Sequence, residues 1–191
     1  MVNISGGEVG TQFLAFGGSV VNISGGEVRG NFNAFDGSVV SISGGEVGSS
    51  FQALNGSVVN ISGGEVGTQF GAFGGSVVNI SGGVVGDAFA AFDGSEVNLL
   101  GSEFFLAGEL IDASTLDGAF TISDRAVTLS GILNDGSLFS FDLNAIESSG
   151  NDFFAPGATL TVTVASVPEP SSALALLGLG GLTMLRRRRT A

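Results

Sequence analysis

The chain contains no cysteine, histidine, lysine, tryptophan or tyrosine. Without Cys or His there is no thiol nucleophile, no imidazole base and no zinc site of the usual kind. Without Cys there are no disulfide staples, and cysteine usage is silent about the redox compartment. Proline is rare, at 3 residues. Positive charge is scarcer than negative and unevenly placed. Of six basic residues, four are Arg186, Arg187, Arg188 and Arg189 at the far end. Only Arg29 and Arg125 remain for the rest, against 18 acids in the whole chain and a net charge of −12. An acidic body repels phosphate backbones, which argues against nucleic acid as a partner. The same charge suits a solvated surface.

What the chain has is glycine, 33 residues of it, and 16 phenylalanines. Glycine-rich chains are often disordered, but disorder needs low hydrophobicity, and apolar residues here make up 43%. The 191 residues are enough for one or two domains.

A 19-residue unit organises the first half. Copies begin at Val2, Val21, Val40, Val59 and Val78, each close to V-N-I-S-G-G-E-V-G-x-x-F-x-A-F-x-G-S-V. A repeat of this length is the mark of a stacked architecture. Val-x-Ile alternates apolar and polar, the period of a half-buried strand. Val21 and Ile23 face inward; Asn22 and Ser24 face outward. Gly25-Gly26 forms the first corner, since glycine reaches positive φ without Cβ strain. Glu27-Val28 starts a second short side with Val28 inward, and Phe32 and Phe35 lie on a third. Ala34 is alanine in every copy, which marks a tight slot. Phe35 points either inward or over a corner. Asp36-Gly37-Ser38 closes the coil.

Three short sides and three glycine-bearing bends predict a right-handed parallel β-solenoid. A helix fails, because no eight-residue segment of the repeats lacks glycine. A left-handed hexapeptide coil fails too, since 19 is not a multiple of six. A lone coil has too few inward apolar side chains to offset the entropy of ordering it. Stacking supplies the hydrogen-bond ladders and continuous side-chain columns that make the array stable.

Residues 97–166 lose the period and keep the strand character. Phe104 to Ile111 reads as a strand pair with a tight turn, and Ala119 to Ile122 as a strand. Val127–Ser130 and Leu138–Phe141 flank Asn134-Asp135-Gly136, a hairpin signal. Thr159–Val164 alternates strictly. Solenoid ends need covering, and this region is read as an irregular C-terminal β cap. The expected division is residues 1–96 as repeats, 97–166 as cap and 167–191 as tail. Met1 stands one residue before a repeat phase with no signal-peptide pattern. More coils and an export signal are therefore expected upstream.

The tail has three parts: Val167-Pro168-Glu169-Pro170, a 13-residue apolar run from Ala173 to Leu185, and Arg186–Arg189. The prolines hold the backbone extended, a form a protease cleft accepts. The apolar run is short for a bilayer, but with its flanks and local thinning it inserts as a short hydrophobic helix. The arginines hold that end in the cytoplasm. This three-part order resembles the PEP-CTERM sorting segment over about residues 167–189. The resemblance implies recognition by an exosortase, a membrane-embedded transpeptidase-like protease of Gram-negative-type bacteria that make exopolysaccharide. It further implies cleavage near the Pro-Glu-Pro motif and a final place on the outer surface or in the extracellular matrix.

Candidate sites in the body are columns. Glu8, Glu27, Glu46 and Glu65 stack and end at Val84. They are weak candidates for Ca²⁺, because one carboxylate per rung falls short of six to eight oxygens. Their plainer role is a solvated edge that deters sheet-to-sheet pairing. Asn3, Asn22, Asn60, Asn79 and Asn98, with Ser41 in line, predict an amide ladder. The Phe columns are read as core rather than as a sugar-stacking platform, which would favour Trp or Tyr. Asp117, Asp124, Asp135, Asp142 and Asp152 offer carboxylates for glycoside hydrolysis, but most fall in turns, where Asp is common for local reasons. The reading is a non-enzymatic surface or matrix protein with no cofactor. The alternatives are an adhesin binding glycan or Ca²⁺ within exopolysaccharide and, last, a polysaccharide-degrading enzyme.

Overall fold

The structure is a computed structural model and describes residues 1–112 and 118–164. Asp117, the tail motif, the apolar run and the four terminal arginines lie outside the described residues. In the repeats a long strand alternates with a two-residue strand. These are β1 (Val2–Val9), β2 (Leu14–Ala15), β3 (Val20–Val28), β4 (Asn33–Ala34), β5 (Val39–Val47), β6 (Gln52–Ala53), β7 (Val58–Val66), β8 (Gly71–Ala72), β9 (Val77–Val85) and β10 (Ala90–Ala91). Long strands pair only with long, short only with short, always in parallel and one repeat apart. The fold is therefore an all-β solenoid of the right-handed type, with one coil per repeat.

Each long strand supplies two sides of the coil. Its hydrogen-bond ladder continues around the Gly-Gly corner, where the register slips by one: Ile23 faces Ile42, but Ser24 faces Gly44. Both glycines are needed because the rungs nearly touch there. Gly45 has φ +80°, and a Cβ on it would lie 2.7 Å from the Gly26 carbonyl oxygen. The second bend works differently from the expectation of a glycine at each turn. The left-handed residue there is not glycine: it is Gln12, Asn31, Ser50, Gln69 or Ala88, with φ between 62° and 65°. The neighbouring glycine serves close approach instead, since a Cβ on Gly48 would meet the Gly30 amide nitrogen at 2.6 Å.

The inward positions are those the alternation predicts. In the middle coil Val40, Ile42, Val47, Phe51 and Ala53 are all fully buried. Their equivalents above and below form continuous columns, so each inner coil shares its core with both neighbours. The inner phenyl rings stack at centroid distances of 4.6 Å (Phe32–Phe51) and 4.7 Å (Phe51–Phe70).

At the C-terminal end the chain leaves the coil and returns to it. β11 (Glu96–Leu106) begins as another rung on β9, then continues outward and pairs antiparallel with β14 (Thr128–Leu133), itself paired with β15 (Leu138–Asp142). β12 (Glu109–Leu110) folds back on β11. The chain re-enters as β16 (Phe153–Phe154), parallel to β10, and β17 (Thr159–Val164), parallel to the first part of β11. Leu160 and Val162 take the places above Val97 and Leu99, and the Gly157 carbonyl accepts from the Gly94 amide, as in the repeats. Residues 153–162 are thus a degenerate coil, and residues between β11 and β16 form the cap. β13 (Ala119–Thr121) lies antiparallel on β17, ending the parallel ladder on that side.

Candidate functional site

The Glu column is in register from Glu8 through Glu27 and Glu46 to Glu65, with Val84 next. Arg29 bridges two of its rungs, 2.8 Å from Glu8 and 3.7 Å from Glu27. These are solvent-exposed pairs and contribute little. Among the described residues no group of three or more Asp, Glu, His or Cys side chains is placed to hold a metal ion.

The amide ladder forms as the sequence predicts. Asn22 Nδ2 donates to Asn3 Oδ1 at 2.8 Å, Asn79 to Asn60 at 2.9 Å and Asn98 to Asn79 at 3.0 Å. Ser41 stands between Asn22 and Asn60 in the same column.

The phenylalanines divide in two, which corrects the reading of both columns as core. Phe32, Phe51, Phe70 and Phe89 are fully buried. The second set, two residues beyond the short strand's first position, lies outside the coil: Phe16 is 60% exposed, and Phe35, Phe73 and Phe92 are half-buried. Phe35 therefore sits on the surface rather than inside. The reason is parity. Phe32 and Ala34 point inward on the short strand, so Phe35 must point out. Burial favours aromatics inside, but the coil has no second inward slot there.

Phe73 and Phe92 stack at 4.6 Å, and Phe153 meets Phe92 at 5.4 Å in an edge contact. Beside these rings lies a groove of about 490 Å³ on the outer face of the second sheet. Its floor is Gly71 and Ala90; Gln52 and Gln69 line it, and Glu147 to Asn151 of the cap overhang it. Sequence reasoning missed this place, because the overhanging loop is far away in the chain. The signal that was available is the outward column Leu14, Asn33, Gln52, Gly71, Ala90, which shrinks abruptly at its fourth member.

Of the acids weighed for hydrolysis, Asp135, Asp142 and Asp152 serve the cap. Asp135 sits at the β14–β15 turn and accepts from the Ser137 amide and hydroxyl and from the Gly83 amide at 2.7 Å. Burial pushes this carboxyl up, but the hydrogen bonds prevail and hold it below the usual carboxylate range. Asp152 accepts from the Phe89 amide at 2.9 Å and the Asp142 amide at 3.1 Å, which fastens the cap to the last full coil. Burial pushes Asp152 up, the charges of Asp142 and Asp87 add to that, and its two amide donors only partly oppose it. Asp142 Oδ1 accepts from the Thr128 hydroxyl. The structure thus brings Asp142 and Asp152 together, each already engaged by donors. Arg125, noted in the sequence only as a charge, donates to the carbonyls of Phe154, Ala155 and Ala158 in the degenerate coil and to those of Ile122 and Asp124.

The class is now defined: an acidic β-solenoid of near-identical coils, closed by an inserted cap. Its other defining feature follows β17. Residues 166–189 match the family model of the PEP-CTERM protein-sorting motif. Val167, Pro168, Glu169, Pro170 and the four arginines fall within that match. A tail of this kind marks an exosortase-targeted exported protein, processed at the membrane. No curated protein and no solved structure matches the chain significantly.

Proposed function

We propose that this chain is a non-enzymatic structural protein of the cell surface or extracellular matrix, released from its membrane tail by an exosortase-like protease. The single observation that carries the reading is the sorting motif at residues 166–189, which begins two residues after the last described strand ends at Val164. The Pro-Glu-Pro motif at Pro168–Pro170 thus follows the last described strand by only a few residues of sequence. Cutting there costs the solenoid no core residue. A structural role fits a body whose Asn and Phe columns contact their own kind, and whose half-buried Asp152 is occupied by amide donors. After cleavage the rod keeps its acidic surface and loses its only basic cluster.

Mass spectrometry of the protein recovered from the cell surface tests this. The expected C-terminus lies near Val167–Pro170, without Arg186–Arg189. The variant carrying Glu169→Ala and Pro170→Ala is expected to keep the full tail and stay with the membrane. An intact C-terminus on surface-delivered wild-type protein would overturn the processing. Turnover of any acidic or neutral polysaccharide by the purified body would overturn the non-enzymatic role.

A further inference from the structure

Residues 2–20 and residues 59–77 are identical except at one position: Leu14 in the first coil is Gly71 in the fourth. That single difference lies at the floor of the groove. A Cβ on Gly71 would come within 2.9 Å of Phe73 Cε2, so the Phe73 ring lies down over the bare backbone. Glycine is not required there by backbone geometry, since Gly71 is not among the residues with positive φ. Nor is it required by stacking, because Leu, Asn and Gln occupy the same place in the first three coils. What the missing side chain provides is room for the Phe73 ring to lie flat against the strand, which keeps the groove wall low, and the small Ala90 keeps it low in the next coil.

We propose that this groove is a binding site for a neutral carbohydrate. Its two walls differ in chemistry. One is the apolar strip of Phe73, Phe92 and Phe153. The other surfaces offer amides from Gln52, Gln69 and Asn151, and hydroxyls from Ser148 and Ser149. A sugar ring has the matching two-sidedness: C–H groups that pack on aromatic carbon and a rim of hydroxyls that pair with amides. The volume lies within the usual range for small-ligand sites and admits roughly one or two sugar rings.

Charge decides against acidic ligands. Among the described residues Glu147 lines the groove and no basic residue does. Both arginines of the body are committed elsewhere, Arg29 to Glu8 and Arg125 to backbone carbonyls. A phosphate or uronate would therefore meet the charge of Glu147 with no described cation to offset it. Strand addition by a peptide is also disfavoured, because the floor is the face of a sheet whose strands β8 and β10 are paired on both sides. The inference does not depend on how the tail is processed.

The test uses the full chain in a detergent without a sugar headgroup. Calorimetry and saturation-transfer NMR are run with neutral hexose and pentose oligosaccharides of two to four units. At least one is expected to bind with a Kd below about 1 mM, with little dependence on salt. Gly71→Leu, which restores the first coil's own residue, is expected to weaken binding at least roughly tenfold while the melting temperature holds. Should that variant fold poorly, Ala90→Leu fills the same groove one coil further on and is expected to act alike. The proposal is overturned if no neutral sugar binds, if acidic sugars bind more tightly than neutral ones, or if a folded Gly71→Leu or Ala90→Leu variant keeps wild-type affinity.

Discussion

The repeats and the cap both contribute to one apolar core, but they satisfy polar groups in different ways. In the repeats the recurring partners are the same residue type one coil away: Asn on Asn, Phe on Phe, backbone on backbone. In the cap the partners are of unlike type, and those that join it to the coils are distant in sequence. Arg125 holds the carbonyls of Phe154, Ala155 and Ala158, Asp135 holds the Gly83 amide, and Asp93 holds the Gly157 amide. Translational symmetry explains the difference. A coil inside the stack meets a copy of itself, so one good contact serves every rung. The last coil meets no copy, and its free groups need individually placed partners.

The comparison would break first in the middle of the stack. Phe51→Asp or Ile42→Asp is expected to cost about 4 kcal/mol or more and to unfold several coils together, because a buried charge disrupts a core that neighbours share. Hydrogen exchange should then show protection lost across β3 to β9 as a unit. Loss confined to one coil would mean that the coils are independent.

Arg125→Ala is expected to cost about 2–3 kcal/mol, and Arg125→Lys should recover little, since one ammonium cannot span the same set of carbonyls. Here exchange should rise in β13 and β17 while the repeats stay protected. Equal loosening of repeats and cap would erase the distinction between them.

Acid should separate two cap carboxylates of opposite sign. Asp152 has a folded pKa above its unfolded value, so its ionised form works against folding, and stability is recovered as pH falls through that raised value toward about 3.9. Asp135 has a lowered folded pKa, so its contribution is present above the unfolded value and is lost as pH falls through the folded one. Thermal melts between pH 7 and pH 3 check this. Asp152→Asn should remove the gain on mild acidification, and Asp135→Asn the loss at the acid end.

The smallest effects belong to the repeats' polar columns. Ser38, Ser57 and Ser76 are buried with hydroxyls that lack a hydrogen-bond partner, and the degenerate coil has Ala158 at the equivalent place. Ser57→Ala is therefore expected to be neutral or to stabilise by up to about 1 kcal/mol in a denaturant titration. Glu46→Gln should change stability by less than about 0.5 kcal/mol, and in the stabilising direction at low salt, because it removes like charge from a stack.

Much of this was readable in the sequence. The 19-residue period, the Val-x-Ile alternation and the Gly-Gly corner specify the coil, its inward residues and its ladder, because each is a local constraint repeated five times. Val167–Pro170 and the arginine cluster specify the tail in the same local way. The outer Phe column was legible in principle from parity, but burial statistics for aromatics pointed the other way. The degenerate coil at Gly157-Ala158-Thr159-Leu160 carries the repeat's closing pattern in weakened form, with Ala158 where the repeats have Ser95.

The sequence alone thus determined the coil, its stacking and the sorting tail, since a periodic chain need only satisfy contacts with its own next copy. Only the tertiary structure decided where the chain returns after the cap. That return places Arg125 on the last turn, Asp152 under Phe89, and residues 147–151 over Gly71. Those contacts join residues of unlike type and unrelated spacing, and no local pattern encodes which of them will meet.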